Sequence, residues 1–235
     1  HIHLSNPLED WGFILHGTKL ENNELVYVRD FSKTFDYDNP KKTFPFITTN
    51  TNAFLIPIYP KYHTELLPDS FLKTESPKDY IENDPHRNAI SKVYISRSFK
   101  RDINRGDVLI FYRTAPENKS AYYHSVITTI GIVEDKVDGI KDENEFLLKV
   151  RKRSVFTDDY LKEFWNYNPC NRPFLIRFLS VYSFSLGNRL NRKKLLDLGI
   201  ISGEERELRG LKRITKDQFK TILLEANVDE RFIVD

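Results

Sequence analysis

The chain has no methionine and a single cysteine among its 235 residues. A complete translation product begins with methionine, so a chain without one is expected to be processed, or to be the C-terminal part of a longer protein. One cysteine, Cys170, rules out an internal disulfide framework and fits a reducing cytoplasm. Standing alone, it is expected as a small buried apolar residue rather than a nucleophile. No stretch approaches the roughly 20 apolar residues that cross a bilayer, and no basic-then-apolar leader opens the chain, so no membrane partner is expected. Internal repeats and low-complexity segments are absent. The histidines, His1, His3, His16, His63, His86 and His124, are scattered, and neither H-x-x-x-H nor a paired-cysteine spacing occurs. No metal and no cofactor is therefore expected. G-x-S-x-G is missing as well, and the adjacent acids Asp158 and Asp159 are accounted for by a helix start. Catalysis is the lesser expectation.

What the chain does have is a central pair of apolar runs, DVLIFYRT at 107–114 and YYHSVITTIGIV at 122–133. Both are rich in β-branched and aromatic residues and are separated by the turn formers of 115–121, which predicts two adjacent strands. Arg105-Gly106-Asp107 introduces the first, glycine supplying an unusual backbone angle and aspartate a hydrogen bond to the turn. The net charge of +2 conceals segregation: Lys92 to Arg113 holds a local excess of four positive charges, Lys149 to Arg153 and Arg189 to Lys194 are further basic clusters, and acids collect in Glu134 to Glu145. Such segregation suits an anionic partner.

In chain order, residues 1–10 read as an unstructured entry, and 11–18 and 24–30 as two strands of a hairpin turning at Asn22-Asn23. Residues 31–52 read as a linker. Ala53 to Tyr59 is predicted as an edge strand, because Pro57 cannot donate to a ladder. Residues 76–83 suggest a loop, Asp84-Pro85 starts a short helix, and Val93 to Arg97 is a strand. Glu145 to Val150 is expected to be another. Thr157 caps a helix carrying Leu161, Phe164 and Trp165 on one side, assigned to core packing. Pro173 to Tyr182 is a closing strand, Leu190 to Leu198 a helix stopped by Gly199, and Thr215 with Gln218 a capping box for a last helix.

Two resemblances add to this. WGFILHGTKLENNELVYVRDF, at 11–31, looks like the last hairpin of the GNAT acetyltransferase fold. The Q/R-x-x-G-x-G/A loop which that family uses to hold acetyl-CoA is absent; Arg206 to Gly210 lacks its second small residue. This chain is therefore not expected to transfer acetyl groups unaided, although an upstream region of acetyltransferase type is implied. The second resemblance covers roughly 53–182, where GDVLIFYRT and TTIGIV follow a strand, a short helix and a strand carrying Arg97. It is similar to the PUA-like superfamily, nearest its ASCH and EVE branches. The Glu134–Glu145 stretch and the C-terminal region depart from that pattern. The fold class implied is α+β, a PUA-like mixed β-barrel with flanking short helices. Residues 1–42 would be the hairpin and linker, 43–185 the barrel, and 186–235 a helical C-terminal extension of the same domain.

The resemblance implies an RNA- or DNA-binding module that accepts a modified or flipped base in a cleft beside the barrel. Rings that stack a base and guanidinium groups that hold phosphate would be needed together. Tyr94, Ser96, Arg97, Tyr112, Arg113, Arg151 and Arg153 are the expected nucleic-acid contacts, and Tyr59, Tyr62, Tyr122 and Tyr123 the expected pocket lining. For Arg113 the structural alternative is a buried pair with Asp107. The ASCH branch implies a second outcome, a hydrolase or nuclease acting on RNA or modified nucleosides through Lys92 or Asp107. A protein-interaction domain is the third.

Overall fold

The computed structural model describes residues 2–31, 34–70, 85–204 and 207–235. Its elements are α1 (Ile2–Asp10), β1 (Phe13–Thr18), β2 (Leu25–Arg29), α2 (Pro40–Thr43), β3 (Ala53–Ile58), α3 (Pro60–Leu66), α4 (Pro85–Asn88), β4 (Ser91–Ser96), β5 (Val108–Arg113), α5 (Ala121–His124), β6 (Val126–Val137), α6 (Glu143–Val150), α7 (Asp158–Asn166), β7 (Phe174–Ser183), α8 (Arg192–Asp197), β8 (Lys212–Ile214) and α9 (Lys216–Glu225). β1 and β2 pair only with each other, and the other six strands form one mixed sheet in the order β4-β7-β6-β5-β3-β8. β3 is parallel to β5; the remaining pairings are antiparallel.

Alternation along the strands sends side chains into separate cores. Phe54, Ile56, Leu109, Phe111, Ile176 and Phe178 share the interior of the curled sheet. On the opposite face Leu55, Ile110 and Ile127 pack under α8 and α9 through Leu195, Phe219 and Ile222. Val93 and Leu175, on the outer face of β4 and β7, are covered by Phe146 of α6 and Leu161 and Trp165 of α7. The sheet curls until its edges face one another, and an added Cβ on Gly210, just before β8, would lie 3.2 Å from Ser98 just after β4. Among the described residues no ladder joins β4 to β8. Gly131 in β6 lets β7 approach closely: a Cβ there would stand 2.7 Å from the Phe178 ring and 3.1 Å from the Leu179 carbonyl oxygen.

The turn before β5 forms as its residues dictate: Gly106 adopts φ +81°, and the Asp107 carboxylate accepts from the Asn104 amide at 2.7 Å, Thr51 Oγ1 at 3.0 Å and Asn52 Nδ2 at 3.2 Å. Thr157 caps α7, and Thr215 and Gln218 form the capping box of α9. Several elements differ from expectation. Residues 2–10 are helical rather than unstructured. Within 31–52, Pro40 to Thr43 form a helix capped by Asn39, and Phe46, Ile47, Thr48 and Thr49 are buried; Ile47 bridges to Ile233 and Thr49 Oγ1 donates to Asp235 at 2.6 Å. Tyr122 and Tyr123 belong to α5, so β6 begins only at Val126 and runs on to Val137, into the acidic stretch. Glu143 to Val150 is a helix, not a strand. Asp142 caps it by accepting from the Glu145 amide, and Phe146 and Val150, one turn apart, take the buried positions. Cys170 is exposed rather than buried. The loop expected at 76–83 lies outside the described residues.

Candidate functional site

β3 is paired on both sides only as far as Leu55, because the register of β8 ends at Lys212 opposite Leu55. The carbonyls of Asn52 and Ile58 accept from β5 amides and the next turn, so the intervening odd-numbered residues present their backbone to the β8 side. Pro57 falls there and has no N–H to offer a longer β8. β3 is thus an inner strand that becomes an edge where its proline sits. The Pro57 carbonyl is taken from across the gap: Tyr94 Oη of β4 donates to it at 2.8 Å. Burial, with Tyr59 close by, pushes the Tyr94 hydroxyl well above its usual range, which keeps it a donor.

Above this seam opens a chamber of about 730 Å³ walled by the end of β3, α3, β4 and the segment leading into α7. Six rings line it: Tyr59, Tyr62, Tyr94, Phe156, Tyr160 and Phe164. Tyr160 and Phe164 stand one turn apart on α7, and Phe156 precedes its cap. The Phe156 and Tyr160 rings stack at 4.7 Å and 15°, and Phe156 and Phe164 lie 6.5 Å apart at 12°. Tyr62 meets Phe156 edge-on at 4.6 Å. Burial, reinforced by a hydrogen bond with Tyr62, pushes the Tyr160 hydroxyl up to about 12. The chamber is largely apolar and flat-walled, with Arg209 the charged side chain in its lining.

A second cavity of about 530 Å³ shares Tyr94, Ile95 and Arg209 with the first and adds Ser96, Arg97, Phe99 and Lys100. Its cations are fixed differently. Arg97 lies 4.6 Å over the Phe164 ring and 5.4 Å over Tyr167, and its Nη1 donates to the Asn171 carbonyl at 2.6 Å. Nε and Nη2 of Arg97 are buried and have no hydrogen-bond partner among the described residues; desolvation and the nearby Arg172 lower the guanidinium pKa. Glu207, the acid in this lining, is engaged by Lys212 Nζ and by the amides of Ser202 and Gly203 at 2.9 and 3.0 Å. The annex is therefore basic, next to an aromatic chamber.

Of the residues singled out from sequence, Tyr59, Tyr62 and Tyr94 meet in the chamber, and Ser96 and Arg97 in the annex. The others lie elsewhere. Tyr112 is 2% exposed and packs on the helix-covered face of β5, where the alternation of the strand sends it. Arg113 is buried on the opposite face, and its charge helps hold His63 neutral; it lines neither cavity. Its anticipated partner Asp107 sits at the far end of β5, occupied by the turn. Arg151 is exposed at the end of α6, and Arg153 donates to Ser91 Oγ at 2.6 Å, at the end of β4 remote from Arg97. Tyr122 and Tyr123 form an edge-on pair at 4.9 Å on α5, outside the cleft because their segment is helix rather than strand. Lys92 is buried and donates to the Arg87 carbonyl at 3.0 Å, burial lowering its amine to about 8; neither it nor Asp107 lines the cleft. Phe156, Tyr160, Phe99, Lys100 and Arg209 are cleft residues that sequence reasoning passed over, and Phe164, assigned to core packing, both packs against the core and lines the chamber. The spacing of Tyr160 and Phe164 was the available signal, and it pointed equally to core. Among the described residues no cluster of three potential metal ligands occurs, and no helix is long and apolar enough to cross a membrane.

No protein-family model and no curated protein matches the chain. Among solved structures, the fold is similar to that of a point mutant of ZmASCH from Zymomonas mobilis, at 10% identity over 73% of this chain and 94% of that one, with a TM-score of 0.50. The N-terminal domain of Thermococcus gammatolerans McrB, in a structure bound to m5C DNA, matches at 13% identity over 76% of this chain and the whole of that one, with a TM-score of 0.39. The first likeness shows the fold, α+β of the PUA-like, ASCH type.

Proposed function

We propose that this PUA-like chain binds nucleic acid, RNA or DNA, by taking one base, modified or flipped from its stack, into the aromatic chamber while the annex holds the adjoining phosphate. The observation that carries this is the meeting of six rings around one cavity that shares Tyr94, Ile95 and Arg209 with a second, lined by Arg97 and Lys100. A volume of about 730 Å³ falls within the roughly 300–1,000 Å³ usual for small-molecule sites, ample for a base. Extruding a base costs a few kcal/mol, and stacking on a ring returns ~1–3 kcal/mol per base, so a cage of several rings offsets the cost. Ring faces and apolar side chains discriminate by shape and flatness more than by charge. The basic annex favours an anionic attachment to the flat group.

Arg151 and Arg153, exposed on the approach to Val155 and Phe156, serve in this arrangement as outer contacts for the phosphate chain. The β1–β2 hairpin, whose ladder stands apart from the six-stranded sheet, takes no part in the cleft. Lys92 and Asp107, on which a hydrolytic activity would depend, line neither cavity, which supports binding over hydrolysis.

The test is binding of labelled RNA and DNA oligonucleotides, with and without base modifications, followed by anisotropy at about 50 mM salt, where phosphate contacts are strong. Affinity that falls on Phe156→Ala and on Phe164→Ala supports the assignment. Absence of affinity for every nucleic acid overturns it.

A further inference from the structure

Phe99 lies in the cleft but has no role in gripping a base inside the chamber. The residue is 89% exposed, in the loop between β4 and β5, and lines the basic annex. Single exposed apolar side chains are ordinary on protein surfaces, and two further features set this one apart. The loop that carries it is braced: the Ser98 amide donates to Ser96 Oγ at 3.1 Å and the Lys100 amide to Ser98 Oγ at 3.2 Å. Arg101 ties the descending limb down, donating to the Ser98 carbonyl at 3.3 Å, to Asp138 at 2.5 Å and to the Arg172 carbonyl at 2.8 Å, with its guanidinium 4.8 Å over the Phe174 ring. The ring is therefore displayed by an ordered support, so docking it costs little further backbone entropy. It also stands beside Lys100, in a basic cavity that shares Tyr94, Ile95 and Arg209 with the aromatic one.

An apolar ring held outward next to a base-sized chamber matches what a duplex requires when one of its bases leaves: something flat to fill the vacated place and keep the neighbouring pairs stacked. Resting on the nucleic-acid assignment of the cleft, we infer that the partner is double-stranded and that Phe99 enters the stack where the extruded base has left. A single strand has no such gap to fill, so Phe99 separates the two substrates.

The experiment uses the whole chain and one sequence, made in DNA and in RNA, offered as a duplex with a single mismatch and as the same strand unpaired. A fluorescent adenine analogue at the mismatch reports unstacking. The expected result is that Phe99→Ala weakens duplex binding about tenfold, or ~1.4 kcal/mol, and lowers the unstacking signal, while the single strand loses several-fold less affinity than the duplex. Phe99→Leu, which keeps an apolar wedge, retains most of the duplex affinity. Equal loss on both substrates, or no loss on either, overturns the role of Phe99. Wild-type binding to the single strand alone overturns the duplex partner but leaves the chamber's function standing; binding to neither form removes both.

Discussion

The Tyr94 hydroxyl donates to the Pro57 carbonyl at 2.8 Å, a side chain of one edge strand satisfying the backbone of another where no ladder connects them. This bond closes the sheet at the floor of the chamber, so its removal should be felt in stability and in binding. Tyr94→Phe leaves the ring and removes the donor. We expect a loss of ~1–2 kcal/mol in urea unfolding, the net worth of one such bond plus the desolvated carbonyl left behind. An unchanged midpoint would show that the seam is held by packing alone.

The chamber rings should carry binding individually. Tyr62→Ala and Phe164→Ala are each expected to cost ~1–3 kcal/mol in nucleic-acid affinity. Phe164→Ala should be the more severe, because the same ring also supports the Arg97 guanidinium at 4.6 Å. Tyr112→Phe, in the core beneath α8 and α9, is the comparison that should leave affinity as it is.

Salt dependence locates the phosphate. If the annex holds it, Lys100→Ala and Arg209→Ala should each lower the slope of log affinity against log salt by about one. Lys193→Ala removes a charge that is paired with Asp197 at 2.5 Å on α8, outside the cleft, and should leave the slope unaltered. A slope insensitive to all three changes would place the anion elsewhere.

His63 should make the fold sensitive to acid. It is buried, its Nε2 lies 2.8 Å from Thr128 Oγ1, and burial, with the Arg113 and Arg189 charges, lowers its pKa from 6.5 to about 3. Between those values the unfolded chain binds a proton that the folded chain refuses, so stability falls as pH drops through about 6.5 towards 3. The slope for a single proton is ~1.4 kcal/mol per pH unit. His63→Gln should flatten urea stability over that range relative to wild type; a parallel pair of profiles would remove His63 as the cause.

Gly131→Ala should destabilise by ~1–3 kcal/mol, as overpacking does, since the new methyl would meet the Phe178 ring at 2.7 Å with the Leu179 carbonyl oxygen behind it. Thermal melting checks it. A neutral result would mean that Phe178 can shift within the interior cluster.

Much of the fold was legible because it is written locally. The alternating apolar run of β5, the turn glycine at 106 and the caps at Thr157 and Thr215 each contain their own explanation. Glu145 to Val150 is strand-like by its apolar content alone, and the helix it forms starts at Asp142, whose capping bond lies ahead of that run. Tyr122 and Tyr123 look like strand residues by propensity, yet they form a turn of helix between Ser120 and Ser125. In the cleft, Tyr59 and Arg97 stand just after β3 and β4, Tyr94 within β4 and Tyr62 in α3. Phe156, Tyr160 and Phe164 were not legible as cavity residues, since a helix with Leu161 and Trp165 already facing the core gives no local sign that its adjoining stripe faces a cavity. That depends on where β8 stops, some fifty residues later.

The three residues of β8 make the gauge of the opening a matter of length rather than of composition. Were its register continued backwards, Leu211 would come to lie against Ile56 and Gly210 against Pro57, each step advancing the covered edge by about 3.4 Å. The second step would bring main chain against Pro57, which has no N–H to give and whose carbonyl the Tyr94 hydroxyl already holds. Variation of a single residue in the segment ahead of β8 can still resize the guest without touching the side chains that grip it.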